Sequence, residues 1–209
     1  MARLTRKEMQ QRTRARLMRS AAKLFCRHGL ERASIDDVAQ DAGYTKGAFY
    51  ANFKSKEDLF LAMLDERFAA HLERVERLLE TDAAPEEQAR AGGAEFVRWI
   101  SADPEWERLF FEFAAYATRN EPFRRELVAR YRMLRERLAE AYRRRAQTLE
   151  LESPVPFDQL ALMTFAMGNG IAFEKLLEPD VVPDDLHPAM MAIFFTGLRT
   201  LAEQEAARR

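Results

Sequence analysis

Between Ser34 and Lys56 the chain gathers residues suited to gripping a nucleic acid rather than to making or breaking bonds. Thr45, Lys46 and Tyr50 offer hydrogen-bond donors, and Gly47 and Ala48 leave the intervening backbone slim enough to approach base edges. Lys56 follows Ser55, at the start of a helix whose backbone amides and dipole also favour an anion such as a phosphate. Catalytic chemistry finds no comparable cluster. His28, His71 and His187 are too scattered for a local metal motif, no glycine-rich phosphate loop is present, and no nucleophile elbow surrounds a serine. No enzymatic activity, metal or cofactor is therefore expected. The single cysteine, Cys26, excludes an internal disulfide and is assigned no role.

The charge distribution points to the same partner. Residues 1–56 carry thirteen Lys and Arg against five Asp and Glu, a balance of +8 that leaves −9 for the rest of a 209-residue chain of net charge −1. A basic head on an acidic body fits a polyanion bound at one end only. Arg3, Arg6, Lys7, Arg12 and Arg14 form a basic arm with two readings: it tracks the DNA backbone or enters a minor groove, or it is disordered and only steers encounter.

The elements that must position these groups are helical, for Gly and Pro number only eight each and no period-two pattern occurs. Leu17, Ala21, Leu24, Phe25 and His28 fall on one helix face, and Gly29 stops that helix. Ser34 caps a second, with Asp37 three residues on, which ends by Ala42 before Gly43 turns the chain. Thr45 caps a third that faces Phe49 and Phe53 inward. Ser55 caps a fourth, striped by Leu59, Met63, Phe68, Leu72, Val75 and Leu79 and broken at Asp82 to Pro85. Later helices start at Pro104 and after Asn120 to Pro122, the latter lined by Phe123, Leu127, Leu134, Leu138 and Tyr142. Phe157 to Leu177 and about His187 to Glu205 are the last two. Two very short helices joined by a glycine turn are marginal as core elements. Braced by a longer helix, they form a helix-turn-helix whose second member enters the major groove.

Apolar runs such as Met190 to Phe195 are too short to cross a bilayer, and the basic N-terminus leads into an amphipathic segment rather than a signal-peptide core. A cytoplasmic protein without a membrane partner is expected.

Thr13-Arg14, Ala21 to Phe25, Gly29, Ser34 to Ala39, Ala42 to Tyr50, Asn52-Phe53 and Ser55 to Leu59 together resemble the N-terminal signature of the TetR family of transcriptional regulators. The resemblance spans residues 10 to 64 without a gap. It implies an all-α homodimer of about nine helices, with a helix-turn-helix DNA-binding domain over residues 1–55 and a larger effector-binding and dimerisation domain over 56–209. It also implies that Thr45, Lys46, Gly47 and Ala48 face the major groove and that Ser34, Tyr50, Asn52 and Lys56 contact phosphates. Tyr44, where the family usually has a small aliphatic residue, and Ala51, where a larger one often stands, depart from the pattern. Tyr44 is kept among the DNA-binding candidates, and both departures bear on base preference.

Beyond the fourth helix the resemblance fades. Aromatics are dense in Phe96, Trp99, Trp106, Phe110, Phe111, Phe113 and Tyr116, and neighbours such as Phe110 and Phe111 cannot share one core stripe. They either line an apolar effector pocket or form ordinary core. Met133, Met163, Met167 and Asn169 are further pocket candidates; methionine at helical spacing is usually filler, but Gly168 and Gly170 around Asn169 lower helix stability by roughly 1 kcal/mol each, a cost for close packing or a ligand to offset. Phe165, Ile171, Phe173, Ile193, Phe194, Leu198 and Leu201 are the candidates for a four-helix dimer interface, which the resemblance would place on the last two helices. The expected function is a repressor released from a palindromic operator by a small apolar effector. The alternative is an architectural or division-coupled DNA-binding protein with the same head and no effector.

Overall fold

The computed structural model describes residues 5–208, the side chain of Glu31 excepted, so Arg3 of the expected arm lies outside the described residues. It is helical throughout: α1 (Arg6–Arg32), α2 (Ile35–Asp41), α3 (Lys46–Tyr50), α4 (Lys56–Leu79), α5 (Pro85–Ser101), α6 (Pro104–Ala117), α7 (Glu121–Thr148), α8 (Phe157–Leu177) and α9 (Leu186–Ala206). No strand occurs among the described residues.

α1 begins well before the apolar stripe that announced it. Thr5 accepts from the Glu8 amide while the Glu8 carboxylate accepts from the Thr5 amide, a capping box that starts the helix at Arg6. Arg6 to Arg14 are therefore helical, which corrects the reading of this stretch as disordered. Arg14 holds its guanidinium 4.3 Å from the Phe53 ring centre and donates to the Asn52 carbonyl. His28, counted on the apolar face, is exposed. At Gly29 the backbone turns to φ +76°, interrupting the helix, and a last turn runs to Arg32.

The chain forms two compact units. One contains residues up to Arg67 together with Glu105–Leu127, and the other contains Phe68–Pro104 and Val128–Arg209. The division falls inside α4 and inside α7 and assigns α6 from Glu105 onward to the first unit, whereas the sequence suggested a boundary at residue 55. Aromatic packing is the reason. Phe60 of α4 stacks on Phe113 of α6 with ring centres 3.5 Å apart, and on Trp106 at 5.6 Å, while Phe113 also meets Phe25 of α1. Phe25, Phe60 and Phe113 are sealed from solvent, each contributing about 1.5–3 kcal/mol by burial.

The second unit packs α5 and α9 backbone to backbone. A Cβ on Gly93 would lie 2.7 Å from the Pro188 Cα, so only glycine fits there. Gly168 of α8 similarly admits the Phe96 ring, whereas Gly170 faces open space. Close packing thus accounts for one glycine beside Asn169 and not for the other. Helix α8 is long and apolar enough to cross a membrane by length and composition, but Leu160, Ala161, Thr164, Gly168, Ile171 and Ala172 are buried within its unit.

Candidate nucleic-acid interface

Two caps define the short helices. Ser34 Oγ accepts from the Asp37 amide, and the Asp37 carboxylate accepts from the Ser34 amide and hydroxyl; these bonds hold its carboxyl below the usual range. Thr45 Oγ1 accepts from the Ala48 amide at 3.3 Å. Gly43, at φ +76°, makes the turn between them. Ser20 of α1 fastens α2, its hydroxyl 3.0 Å from the Val38 carbonyl and 2.9 Å from the Asp41 carboxylate, which Lys23 also meets at 2.6 Å.

Helix α3 presents two unlike sides. Phe49 is fully buried, and just beyond the helix Phe53 is too, whereas Thr45, Lys46, Gly47 and Tyr50 are exposed and Ala48 is half-buried. The exposed side is therefore donor-rich and slim. Tyr50 is 52% exposed with its ring edge-on to Phe49, so its body is anchored while its surface remains open. Lys46 reaches Asp36 at 2.7 Å, which raises its pKa. Both partners are more than half exposed, so this ion pair contributes little and can be exchanged for a phosphate or a base edge. Tyr44 is half-buried beneath Arg16, whose guanidinium lies 5.3 Å from the ring centre. A hydrogen bond with Thr13, and secondarily Arg16, holds its hydroxyl below the usual tyrosine range.

Two expected phosphate contacts are engaged elsewhere. Lys56 Nζ donates to the carbonyls of Leu30 at 2.6 Å and Ala33 at 2.9 Å, closing the C-terminal end of α1. Its cation is thus committed to unpaired backbone oxygens left by the interruption at Gly29. Asn52 folds back to donate from Nδ2 to the Ala48 carbonyl, and its Oδ1 is buried. Arg16 and Arg19 of α1, not among the sequence candidates, are exposed beside the end of α2 and add to the positive charge there.

The effector candidates divide between the units. Trp106, Phe110 and Phe113 are buried in the first unit, where Trp106 stacks on Phe60 of α4 and Phe113 packs on Phe60 and on Phe25 of α1; of the two readings open for these aromatics, ordinary core is the one their burial favours. Tyr116 belongs to that unit too, its hydroxyl donating to Glu57 and accepting from Asn120. Met133 is 61% exposed on α7, on the solvent side rather than in a pocket. Phe96, Trp99, Met167 and Asn169 remain half-buried within the second unit. Among the interface candidates, Ile171 is core, Phe165 packs edge-on to Tyr131, and Phe194 and Leu198 pack around Tyr142 and Leu160. Phe173, Ile193 and Leu201 are exposed, as are Leu162, Met163 and Leu177.

Comparison with known proteins adds an independent line. The family model for bacterial regulatory proteins of the tetR family matches residues 17–63, and that for the BetI-type transcriptional repressor, C-terminal, matches residues 85–199. The chain is 32% identical over 99 residues to the HTH-type transcriptional activator FasR of Mycolicibacterium smegmatis, covering 47% of this chain and 45% of FasR. It thus spans less than half the length of that relative. It is 27% identical over 150 residues to the HTH-type transcriptional repressor AcnR of Corynebacterium diphtheriae, covering 70% and 72% of the two chains. In fold it is similar to the transcriptional regulator FadR of Bacillus subtilis, solved in complex with stearoyl-CoA. The TM-score is 0.71 at 15% identity, covering 85% of this chain and 95% of that one.

Proposed function

The chain belongs to the TetR family of transcriptional regulators, and from that premise we propose a cytoplasmic repressor that binds a palindromic operator as a homodimer and leaves it when a small apolar effector binds the second unit. It is a regulator rather than an enzyme. The observation that carries the reading is α3 itself, with Phe49 sealed beneath it and Thr45, Lys46, Gly47 and Tyr50 open to solvent. In this proposal those residues and Ala48 meet base edges or the adjacent backbone, Ser34 and Tyr50 contact phosphates, and Tyr44 orients the turn.

A dimer presents two such helices about 34–36 Å apart, one turn of DNA. The exposed apolar side chains of α8 and α9, among them Leu162 and Ile193, support those helices as the dimer contact. The half-buried aromatics Phe96 and Trp99 support an effector site in the second unit, and the stearoyl-CoA bound by FadR is in keeping with an apolar ligand. An effector that prefers one spacing of the heads changes DNA affinity by its differential affinity for the two states.

Selection of bound duplexes from a random pool, followed by footprinting, tests the reading. A palindrome with half-sites one turn apart is expected. A folded dimer that binds no duplex at low salt would overturn it.

A further inference from the structure

His187, the second residue of α9, is 3% exposed, and its surroundings determine which nitrogen carries the proton. Nδ1 lies 3.2 Å from the Gly93 carbonyl, brought there by the direct backbone contact of α5 and α9 at Gly93 and Pro188. A carbonyl only accepts, so Nδ1 donates and a neutral ring presents Nε2 as a lone-pair acceptor. Burial disfavours the imidazolium and pulls the pKa down, against a smaller opposing effect of the Gly93 bond. Nε2 is nevertheless buried and finds no donor among the described residues. An acceptor left in that state destabilises a fold, so a donor from outside the chain is called for.

The ring packs 4.9 Å from Phe96, whose other neighbours are Gly168, His71 and Trp99. His71 stacks on Trp99 with ring centres 4.4 Å apart, and Trp99 meets Phe68 at 6.0 Å. These rings come from α4 and α5, and each remains half-buried. That contrasts with the first unit, where Phe25, Phe60 and Phe113 are sealed. An aromatic surface that solvent still reaches thus adjoins one buried acceptor.

We propose that His187 Nε2 accepts a hydrogen bond from an uncharged effector that carries an O–H or N–H group on an aromatic or extended apolar body, with Phe96 and Trp99 packing that body. This rests on the effector-binding reading above and adds the chemical class. An anionic carboxylate head is rejected because two acceptors would face each other. For a cation, Glu95, the carboxylate beside Phe96 on α5, is already paired with Arg74 and Arg98.

The test uses full-length protein and matched probes: 4-phenylphenol against 4-methoxybiphenyl, and 1-naphthol against 1-methoxynaphthalene. Calorimetric titration should show each phenol binding at least tenfold more tightly than its ether. The ¹⁵N resonance of His187 Nε2 should shift with the phenols alone, a readout that needs no variant. His187→Phe, checked for folding by circular dichroism, should erase the phenol preference. Equal binding of phenol and ether would overturn this assignment, leaving Nε2 to a buried water and the effector reading intact. Silence from every probe, with DNA affinity unaffected by them, would remove the apolar-effector reading and this assignment together.

Discussion

The Leu30 backbone amide donates to a Glu112 carboxylate oxygen at 2.6 Å, so a side chain on α6 caps the last turn of α1 at the residue after its interruption. Lys56 from α4 holds the carbonyls of the same turn. Both orphaned ends of a broken helix are thereby satisfied by charged side chains from two other helices. Removing the acceptor in Glu112→Ala should lower the unfolding free energy by about 1–3 kcal/mol, read from denaturant midpoints at constant m-value. Glu112→Gln, which keeps an acceptor, should retain most of it.

Lys56 and Lys46 should separate cleanly in DNA-binding assays. Lys56→Met is expected to lower stability by about 1.5–3 kcal/mol, the range for hydrogen bonds to a charged group, with the salt slope of operator binding unchanged. Lys46→Met should leave stability within about 0.5 kcal/mol and weaken operator binding roughly tenfold. A salt slope that falls with Lys56→Met would return that residue to the phosphate-contacting set.

Alanine at the glycines should give opposite signs. Gly93→Ala drives a methyl against the Pro188 backbone, which cannot yield as a flexible side chain does, and is expected to destabilise by about 1–3 kcal/mol. Gly170→Ala meets nothing within 4 Å on a helix and should stabilise by about 0.5–1 kcal/mol. Thermal melts of the two variants beside wild type decide the matter.

His187 has its pKa lowered on folding, so below the unfolded value of about 6.5 the unfolded chain binds the extra proton and stability falls with pH. The contribution is complete above that value and is lost as pH drops through it toward the folded pKa. Denaturation midpoints between about pH 7 and 5.5, above the ordinary carboxylate range, should slope downward on acidification. His187→Gln should flatten that slope.

Exposure separates the proposed dimer contact from the core on the last two helices. Ile193→Glu, at a position 72% exposed, is expected to yield a folded monomer in sedimentation experiments, with operator affinity lost. Ile171→Glu, at a position 5% exposed, should unfold the second unit instead, since an unpaired buried charge is not tolerated. A dimeric Ile193→Glu would move the contact away from that face.

Local chemistry was legible in the residue order. Ser34 with Asp37, Thr45 before a slim helix, and Gly43 at a positive φ are interactions within four residues, so short-range rules locate them. The start of α1 was misread because its signal is the single cap at Thr5, while its first turns carry no apolar stripe.

What residue order alone determined here was an all-helical chain with a short, capped, donor-bearing α3 on a basic head. Those properties depend on spacing along the backbone and on charge. Only tertiary packing decided that Trp106 and Phe113 join α1 and α4 in a dry core, that Lys56 turns inward to carbonyls, and that a buried imidazole ends beside Phe96. An aromatic or a lysine has the same pattern in sequence whether it meets a ligand, a phosphate or its own fold. The partner comes from residues tens of positions away, brought within reach by helix packing.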